Sequence, residues 1–356
     1  MKMTSLHFGD YKQLLNKVYE NNPCYRDSLS RTVKSILQSK LEICNSSWIQ
    51  GVMIKEKGQI VAACLYCIVD RMEDTLQMAY FESLENKEEA VHLLIDYGRK
   101  IAQDHGIQKI LIGLNLHVNY GLGFLASHFQ TAQSLGSAYH PPYYVKYFAP
   151  LATETIDLIS YQANMGFFDF KLNQRVKDRI RSKYQVRKAN FKKLEQEAKH
   201  YTRINNQAFQ THRFYYQRRV EEDLELFKEY RLFLKEENLL FLQYEDEPVG
   251  FMLWYPDFNQ LTKPGETLGV KALIKSRLFP TKINRFKLVE LGVVPKHQKS
   301  GGVWLLFDQC YQIVKDRYEI CESGWILDEN KDSKAFGERW GDQIYKQYQV
   351  FMIQLG

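Results

Sequence analysis

Residues 288–307 read Leu-Val-Glu-Leu-Gly-Val-Val-Pro-Lys-His-Gln-Lys-Ser-Gly-Gly-Val-Trp-Leu-Leu-Phe, and no other stretch of the chain restricts the fold as tightly. Its first part is an apolar strand interrupted by Glu290, its middle a polar turn with Gly301 and Gly302, and its end opens a helix. A strand that delivers a glycine turn to a helix N-terminus leaves backbone N–H groups pointing at one spot, where the helix dipole adds partial positive charge. Such a spot suits a phosphate. The spacing is neither the G-x-G-x-x-G of a dinucleotide site nor the G-x-x-x-x-G-K-[ST] of a Walker loop.

At 356 residues the chain exceeds one typical core and suits two domains of about 170 residues each. A hydrophobic content of 45% excludes wholesale disorder. The longest apolar runs, 59–69 and 288–294, are strand-length and far short of a membrane span. Residues 1–10 hold no apolar signal core, so the cytoplasm is the expected location. A net charge of +6 suits an acidic partner such as a nucleotide-bearing molecule without demanding nucleic acid. Of six cysteines only Cys64 and Cys67 are suggestively spaced, but in a strand i and i+3 point to opposite faces. No metal site is expected.

The apolar periods give helices over 10–20 and 27–41, a hairpin over 49–70, a strand over 75–83, a helix over 87–105 and a strand over 109–114. A helix is expected over 153–164 and a strand over 167–172. The basic run 171–199 reads as a solvated connector rather than a nucleic-acid arm, because aromatic interleaving is thin. The domain boundary is placed near residue 178, giving domains 1–178 and 179–356. The order then recurs: helices over 191–209 and 218–236, a hairpin over 239–255, and an irregular excursion over 257–280. A strand over 286–294, a helix over 302–316, a strand over 320–327, a helix over 331–340 and a final strand over 345–355 follow. The same order twice predicts two copies of one mixed α/β fold.

Gln298 and Gly301 form Gln-x-x-Gly after the central strand, and Asn330 is followed eleven residues later by Gly341. With Pro141-Pro-Tyr-Tyr144, Val249-Gly-Phe-Met-Leu-Trp254 and Ser323-Gly-Trp-Ile-Leu-Asp-Glu-Asn330, these resemble the tandem GNAT-type N-acyltransferases of bacteria, a little-characterised group. The resemblance covers nearly the whole chain. It implies an acyl-CoA co-substrate and a small-molecule amine acceptor between the domains. The backbone of Leu291 and Val293, the turn Gln298, Lys299, Ser300, Gly301, Gly302 and Val303, and Asn330 would hold the cofactor. Val303 departs from the family's small residue at that position, and Gly337 stands where the family places a tyrosine acid, seven residues after Asn330.

Amine acylation needs a proton acceptor and stabilisation of a developing oxyanion. Glu290, a carboxylate inside an apolar strand, is the candidate base. The alternative for it is a buried partner of a Lys or Arg, or a solvent-facing side chain. Glu322, near the start of the next strand, is a second base candidate or substrate contact but reads more readily as such a paired carboxylate. Asn259 suits a turn first and a substrate contact second, and Trp325 a core or groove wall before a substrate contact. Tyr345 is the candidate acid, with packing as its alternative. The first half lacks a glycine turn, and Glu82, Glu85, Glu88 and Glu89 crowd the place where a phosphate would sit, so this copy is expected not to bind CoA. Two further readings compete with the enzyme: an inactive GNAT scaffold that binds a ligand or protein, and nucleic-acid binding through 171–199, the least favoured.

Overall fold

A computed structural model describes residues 1–167 and 173–356. The first half comprises β1 (Lys2–Ser5), α1 (Phe8–Val18), α2 (Ser30–Leu37), β2 (Ser47–Glu56), β3 (Gln59–Val69), β4 (Thr75–Ser83), α3 (Glu88–Asp104), β5 (Lys109–Ile112), β6 (Phe124–Leu125), α4 (Tyr143–Phe148) and β7 (Glu154–Asn164). Next come α5 (Gln174–Arg181), β8 (Tyr184–Lys188), α6 (Leu194–Ala208), α7 (Val220–Tyr230), β9 (Leu239–Tyr244), β10 (Glu247–Pro256) and α8 (Val270–Leu278). The chain ends with β11 (Arg285–Val293), α9 (Gly302–Val314), β12 (Ile320–Ser323), β13 (Ile326–Leu327), α10 (Lys331–Trp340) and β14 (Gln343–Gln354).

Period-2 alternation sets the layers. On β3, Cys64 and Tyr66 face α3, while Leu65 and Cys67 join the core under α1 and α2. The two cysteines therefore lie on opposite faces of the sheet, both as free thiols. Among the described residues no cluster of metal-ligating side chains is found.

Both halves belong to one sheet, ordered β1-β2-β3-β4-β5-β14-β7-β12-β11-β10-β9-β8. Within each half a run of antiparallel strands leads to one parallel pair, β4 with β5 and β11 with β12. The last strand of each half then crosses over. β14 pairs antiparallel with β5 of the first half, and β7 pairs with β12 of the second. β7 and β14 pair with each other from Gln162–Gln343 to Glu154–Met352, so a pseudo-twofold axis passes between them. The expected boundary at Asp178 falls inside α5. Ion pairs also tie the halves together, among them Arg71 with Glu222, and Arg219 with Asp70 at 2.6 Å.

Residues 154–164 form a strand, not the expected helix. Ile156, Leu158 and Ile159 mimic helical spacing, but β14 and β12 flank the segment and satisfy its backbone from both sides. The strand expected at 167–172 lies, apart from Phe167, outside the described residues. The connector 171–199 includes α5 and β8, and several of its bases are paired: Lys177 with Asp308, Arg187 with Glu197 at 2.8 Å, and Lys188 with Glu237 at 3.1 Å.

Candidate active site

The central strand of each half carries a bulge. In β11 the register against β10 shifts between Leu253–Glu290 and Trp254–Leu288, leaving Val289 extra. In β4 the shift against β3 falls next to Tyr80, whose φ is 49°. Beyond its bulge each central strand leaves its parallel neighbour. β11 stays paired with β12 through Leu288–Ser323, and Gly324 N–H still reaches Leu288 O at 2.5 Å. The chain then turns away, and β13 joins β7 instead. From Val289 to Val293 the β11 edge facing β12 has no strand partner among the described residues.

The two gaps are treated differently. In the first half Asn115 Oδ1 accepts from Tyr80 N–H at 2.8 Å, and buried Leu114, Leu116 and Leu122 pack into the same core. The turn after β4 is closed by α4. Tyr143 OH donates to Ser83 O at 2.9 Å, Tyr144 OH accepts from Ser83 N–H at 2.8 Å, and Tyr147 OH donates to Leu84 O at 2.9 Å. Tyr144 and Tyr19 also donate to Glu82, at 2.7 and 3.3 Å. Burial pushes the Glu82 carboxyl up to about 8.

In the second half the gap opens into a cavity of about 480 Å³. The cavity passes through the sheet. Phe241 and Phe251 pair across β9–β10, and Tyr201 of α6 packs on Phe251 at 4.5 Å, whereas the next residue, Leu242, faces α9. Helices α6 and α9 therefore cover opposite faces. The α6/α7 side supplies Tyr201, Phe209, Arg218, Asp223 and Phe227 to the wall, and the α9/α10 side supplies Phe307, Cys310, Tyr311 and Phe336. The first half adds Val118, Asn119 and Tyr161. The loop 139–147 does not line this cavity and packs within its own half.

Glu290 stands on the α6/α7 side of the gap. Tyr201 OH donates to its Oε2, Asn205 Nδ2 donates to Oε1 at 2.6 Å, and Arg218 lies 3.6 Å away. It is thus both a cavity-wall carboxylate and a partner of an arginine. Arg218 also pairs with Asp223 and lies over the Tyr201 ring at 5.0 Å. Burial works most strongly against the Arg218 charge, but Asp223, Tyr201, Glu290 and Tyr215 together hold the guanidinium above its ordinary value. His212, 5.6 Å from the Trp325 ring, is pushed down to about 4 by burial and is neutral at pH 7.

Leu291, Trp325 and Asn330 line the same cavity. Asn330 caps α10, its side-chain oxygen accepting from Ser333 N–H at 3.0 Å. Seven residues on, Gly337 meets Tyr161 from β7: a Cβ at 337 would lie 2.1 Å from the Tyr161 ring. The Tyr161 hydroxyl is buried in the cavity wall with no hydrogen-bond partner among the described residues, and burial raises its pKa.

Val293 and the turn 298–303 lie beyond the cavity wall, between the end of β11 and the start of α9. Gly301 has φ 87° and precedes α9, and a Cβ on Gly302 would strike Leu242 at 2.6 Å. Gln298 Nε2 donates to Val293 O at 3.0 Å, and Ser300 Oγ donates to His297 O at 2.7 Å. Among the described residues the Lys299, Ser300 and Gly301 amides have no acceptor. Val303 is half-buried at the start of α9. Ile180 of α5 packs on Gly301, which sets a helix bearing Arg175, Lys177, Arg179 and Arg181 against the turn.

Of the residues expected to act on the substrate or in catalysis, three do not reach the cavity. Glu322 points away, fully buried: Ser134 and Ser137 donate to it at 2.6 and 3.0 Å, and Arg285, Lys287 and Lys346 each lie 3.8 Å away. Burial alone would raise its pKa, but Lys346 and Lys287 hold it below the ordinary value. Asn259 is buried under the first half, its Nδ2 donating to Gln133 O at 3.1 Å. Tyr345 packs beside His128 at 5.3 Å with Lys346 Nζ 4.9 Å from its ring. The residues that do converge on Glu290, namely Tyr201, Asn205, Arg218 and Asp223, carry no motif. An arginine just ahead of the acidic helix start Glu221-Glu222-Asp223 is their one local signal.

No family model and no curated protein sequence matches this chain. Solved structures do. Over 100% of its length the chain is similar to a tandem GNAT protein from the clavulanic acid biosynthesis pathway, with 10% identity, TM-score 0.59 and 98% of that chain covered. The fold is a tandem GNAT fold. A GCN5-related N-acetyltransferase from Sphaerobacter thermophilus matches 99% of the chain at 11% identity and TM-score 0.53, with 95% of that protein covered. A protein of unknown function from Enterococcus faecalis, described as a probable N-acyltransferase, matches 99% at 7% identity and TM-score 0.54, with 72% of it covered. In this GNAT fold the second copy keeps an open gap, and the first copy is degenerate, its gap filled by its own side chains.

Proposed function

We propose that the chain is an acyl-CoA-dependent N-acyltransferase whose donor enters on the α9/α10 face and whose amine acceptor enters on the α6/α7 face. One observation carries the reading: the gap beyond Leu288–Ser323 joins two chambers on opposite faces of the sheet, with Glu290 on one side of the opening. The unpaired amides at 299–301 and the basic helix α5 beside them suit the pyrophosphate of the donor. The free edge of β11 suits the amides of its pantetheine arm, strand-fashion, and Asn330 lies along the same path. Attack by the amine forms the C–N bond as the C–S bond breaks. The amine proton passes to Glu290, directly or through one water, and Tyr161 is the phenol available to protonate the departing thiolate. Orientation across the gap supplies much of the acceleration.

Calorimetric titration with acetyl-CoA and a longer acyl-CoA tests the donor half. The wild type binds at least one of them, and Gly301→Val, checked for an intact fold, loses at least about tenfold in affinity, because the turn closes on φ 87°. Absence of binding by the wild type would sink the reading. A second reading, an inactive scaffold, is favoured by the aromatic bridge between α9 and α10, where Trp304 stacks on Phe336 at 5.1 Å and meets Trp340 at 5.7 Å. Acyl-CoA binding without transfer to any member of an amine panel selects the scaffold.

A further inference from the structure

Away from the gap, α8 carries a concentration of exposed apolar side chains. Val270 is 72% exposed, Ile274 53%, Leu278 65% and Phe279, just past the helix end, 48%. Positions 270, 274 and 278 recur at i, i+4 and i+8, so they form one stripe along the helix. The helix is fastened from its other side, where Ala272 packs with Leu234, Tyr255, Phe258, Leu261 and Ile283 in a small core of its own. Four of the large exposed apolar residues of this protein thus fall within ten positions, and a patch of this kind marks a contact surface.

Charge says what the contact is. From Thr267 to Val289 the chain has no Asp or Glu and six basic residues, of which Lys271, Lys275, Arg277 and Lys282 are exposed around the stripe. Lys282 Nζ lies 5.0 Å from the centre of the Phe279 ring, stem along the apolar surface and head outward. A second copy docking through the same face would set these cations against their own images. An aliphatic stripe flanked by Lys and Arg instead matches a bilayer surface, where apolar groups enter the acyl boundary and cations meet phosphate headgroups. With nine residues the helix lies in that interface and cannot cross it.

We propose that α8 docks this protein on a membrane surface carrying anionic headgroups. The stripe Val270, Ile274, Leu278 and Phe279 enters the boundary layer, and Lys271, Arg277 and Lys282 hold the phosphates, while Lys275 Nζ turns back to donate to Leu261 O at 3.1 Å. The small core beneath α8 shares Leu234 and Tyr255 with the wall of the through-sheet cavity, so docking brings the α6/α7 chamber close to the lipid.

Co-sedimentation with vesicles tests this without reference to catalysis. Wild-type protein pellets with phosphatidylcholine vesicles containing about one-third phosphatidylglycerol, and does not pellet with phosphatidylcholine alone. Ile274→Glu/Leu278→Glu abolishes pelleting. Lys271→Glu/Arg277→Glu weakens it by about twenty-five-fold or more, since each basic residue near such a surface contributes about fivefold. All four side chains are exposed, so both variants keep the wild-type Tm. Failure of the wild type to pellet with anionic vesicles overturns the proposal, as does undiminished pelleting of both variants. A wild-type dimer in light scattering that Ile274→Glu/Leu278→Glu dissociates, with no vesicle binding, overturns it in favour of a second copy as the occupant.

Discussion

Glu82 offers a quantitative test of the closed first half. Its carboxyl is fully buried among Tyr19, Tyr144 and the turn after β4, and no cation pairs with it among the described residues. Burial moves it from 4.5 to about 8, with the two tyrosine donors opposing the shift. Between these values the folded chain holds a proton that the unfolded chain has released, so rising pH favours unfolding. The contribution is fully present below pH 4.5, and fades as pH climbs through about 8. From pH 6 to pH 8 the linkage amounts to roughly 2 kcal/mol, taking about 1.4 kcal/mol per pH unit and the levelling-off near the folded pKa. Glu82→Gln keeps the shape of the protonated acid and cannot ionise. Urea unfolding of both proteins at the two pH values gives the difference directly. Buried His117 and His140 titrate alike in both, and cancel. The variant gains on the wild type by roughly 2 kcal/mol over this range. A constant difference would refute the sealed carboxyl, because a Glu82 reached by a cation or by water is ionised in both states across this range.

Three further outcomes follow from the second half. Glu290→Gln lowers the rate of acyl transfer by about 10²–10⁴-fold while acyl-CoA affinity, measured by calorimetry, stays within about twofold. Gly337→Ala drives a Cβ to within 2.1 Å of the Tyr161 ring and destabilises by about 1–3 kcal/mol in denaturant unfolding, and a second substitution, Tyr161→Ala, relieves the strain. Glu322→Gln strands buried Lys287 and Lys346 beside a neutral group and costs about 3–5 kcal/mol by the same measurement. Because the folded Glu322 pKa lies below 4.5, the wild-type contribution is present above that pH and is lost on acidification through the lower folded value.

Much of the frame was legible. Elements with local signals fell where the periods put them: α10 begins at the Asn330 cap, β9 and β10 flank their turn, and α9 starts at Gly302. Glu290 stood out because a carboxylate in an apolar strand needs a reason. What stayed hidden depends on distant partners. β7 read as a helix because its strand neighbours, β14 and β12, lie more than 150 residues away in sequence. The exchange of β7 and β14 leaves no local trace. Gly337 looked like a missing tyrosine, yet its reason is the Tyr161 ring packed against it from the other half. From sequence, the glutamates around the first-half turn repel a phosphate. Three tyrosine hydroxyls from α4 fill that turn's backbone instead. Helix α8 hides in an apparently irregular excursion because Pro264, Gly265 and Pro280 frame it, and its exposed stripe gives no core period.

Amide hydrogen exchange with and without acyl-CoA addresses the gap beyond Leu288 most directly. Binding slows exchange at residues 289–293 and 299–303 and leaves the first-half turn at residues 83–87 unchanged. Acyl-CoA that binds yet leaves 289–293 exchanging at the free rate, or that protects the first-half turn instead, would contradict donor binding in this gap.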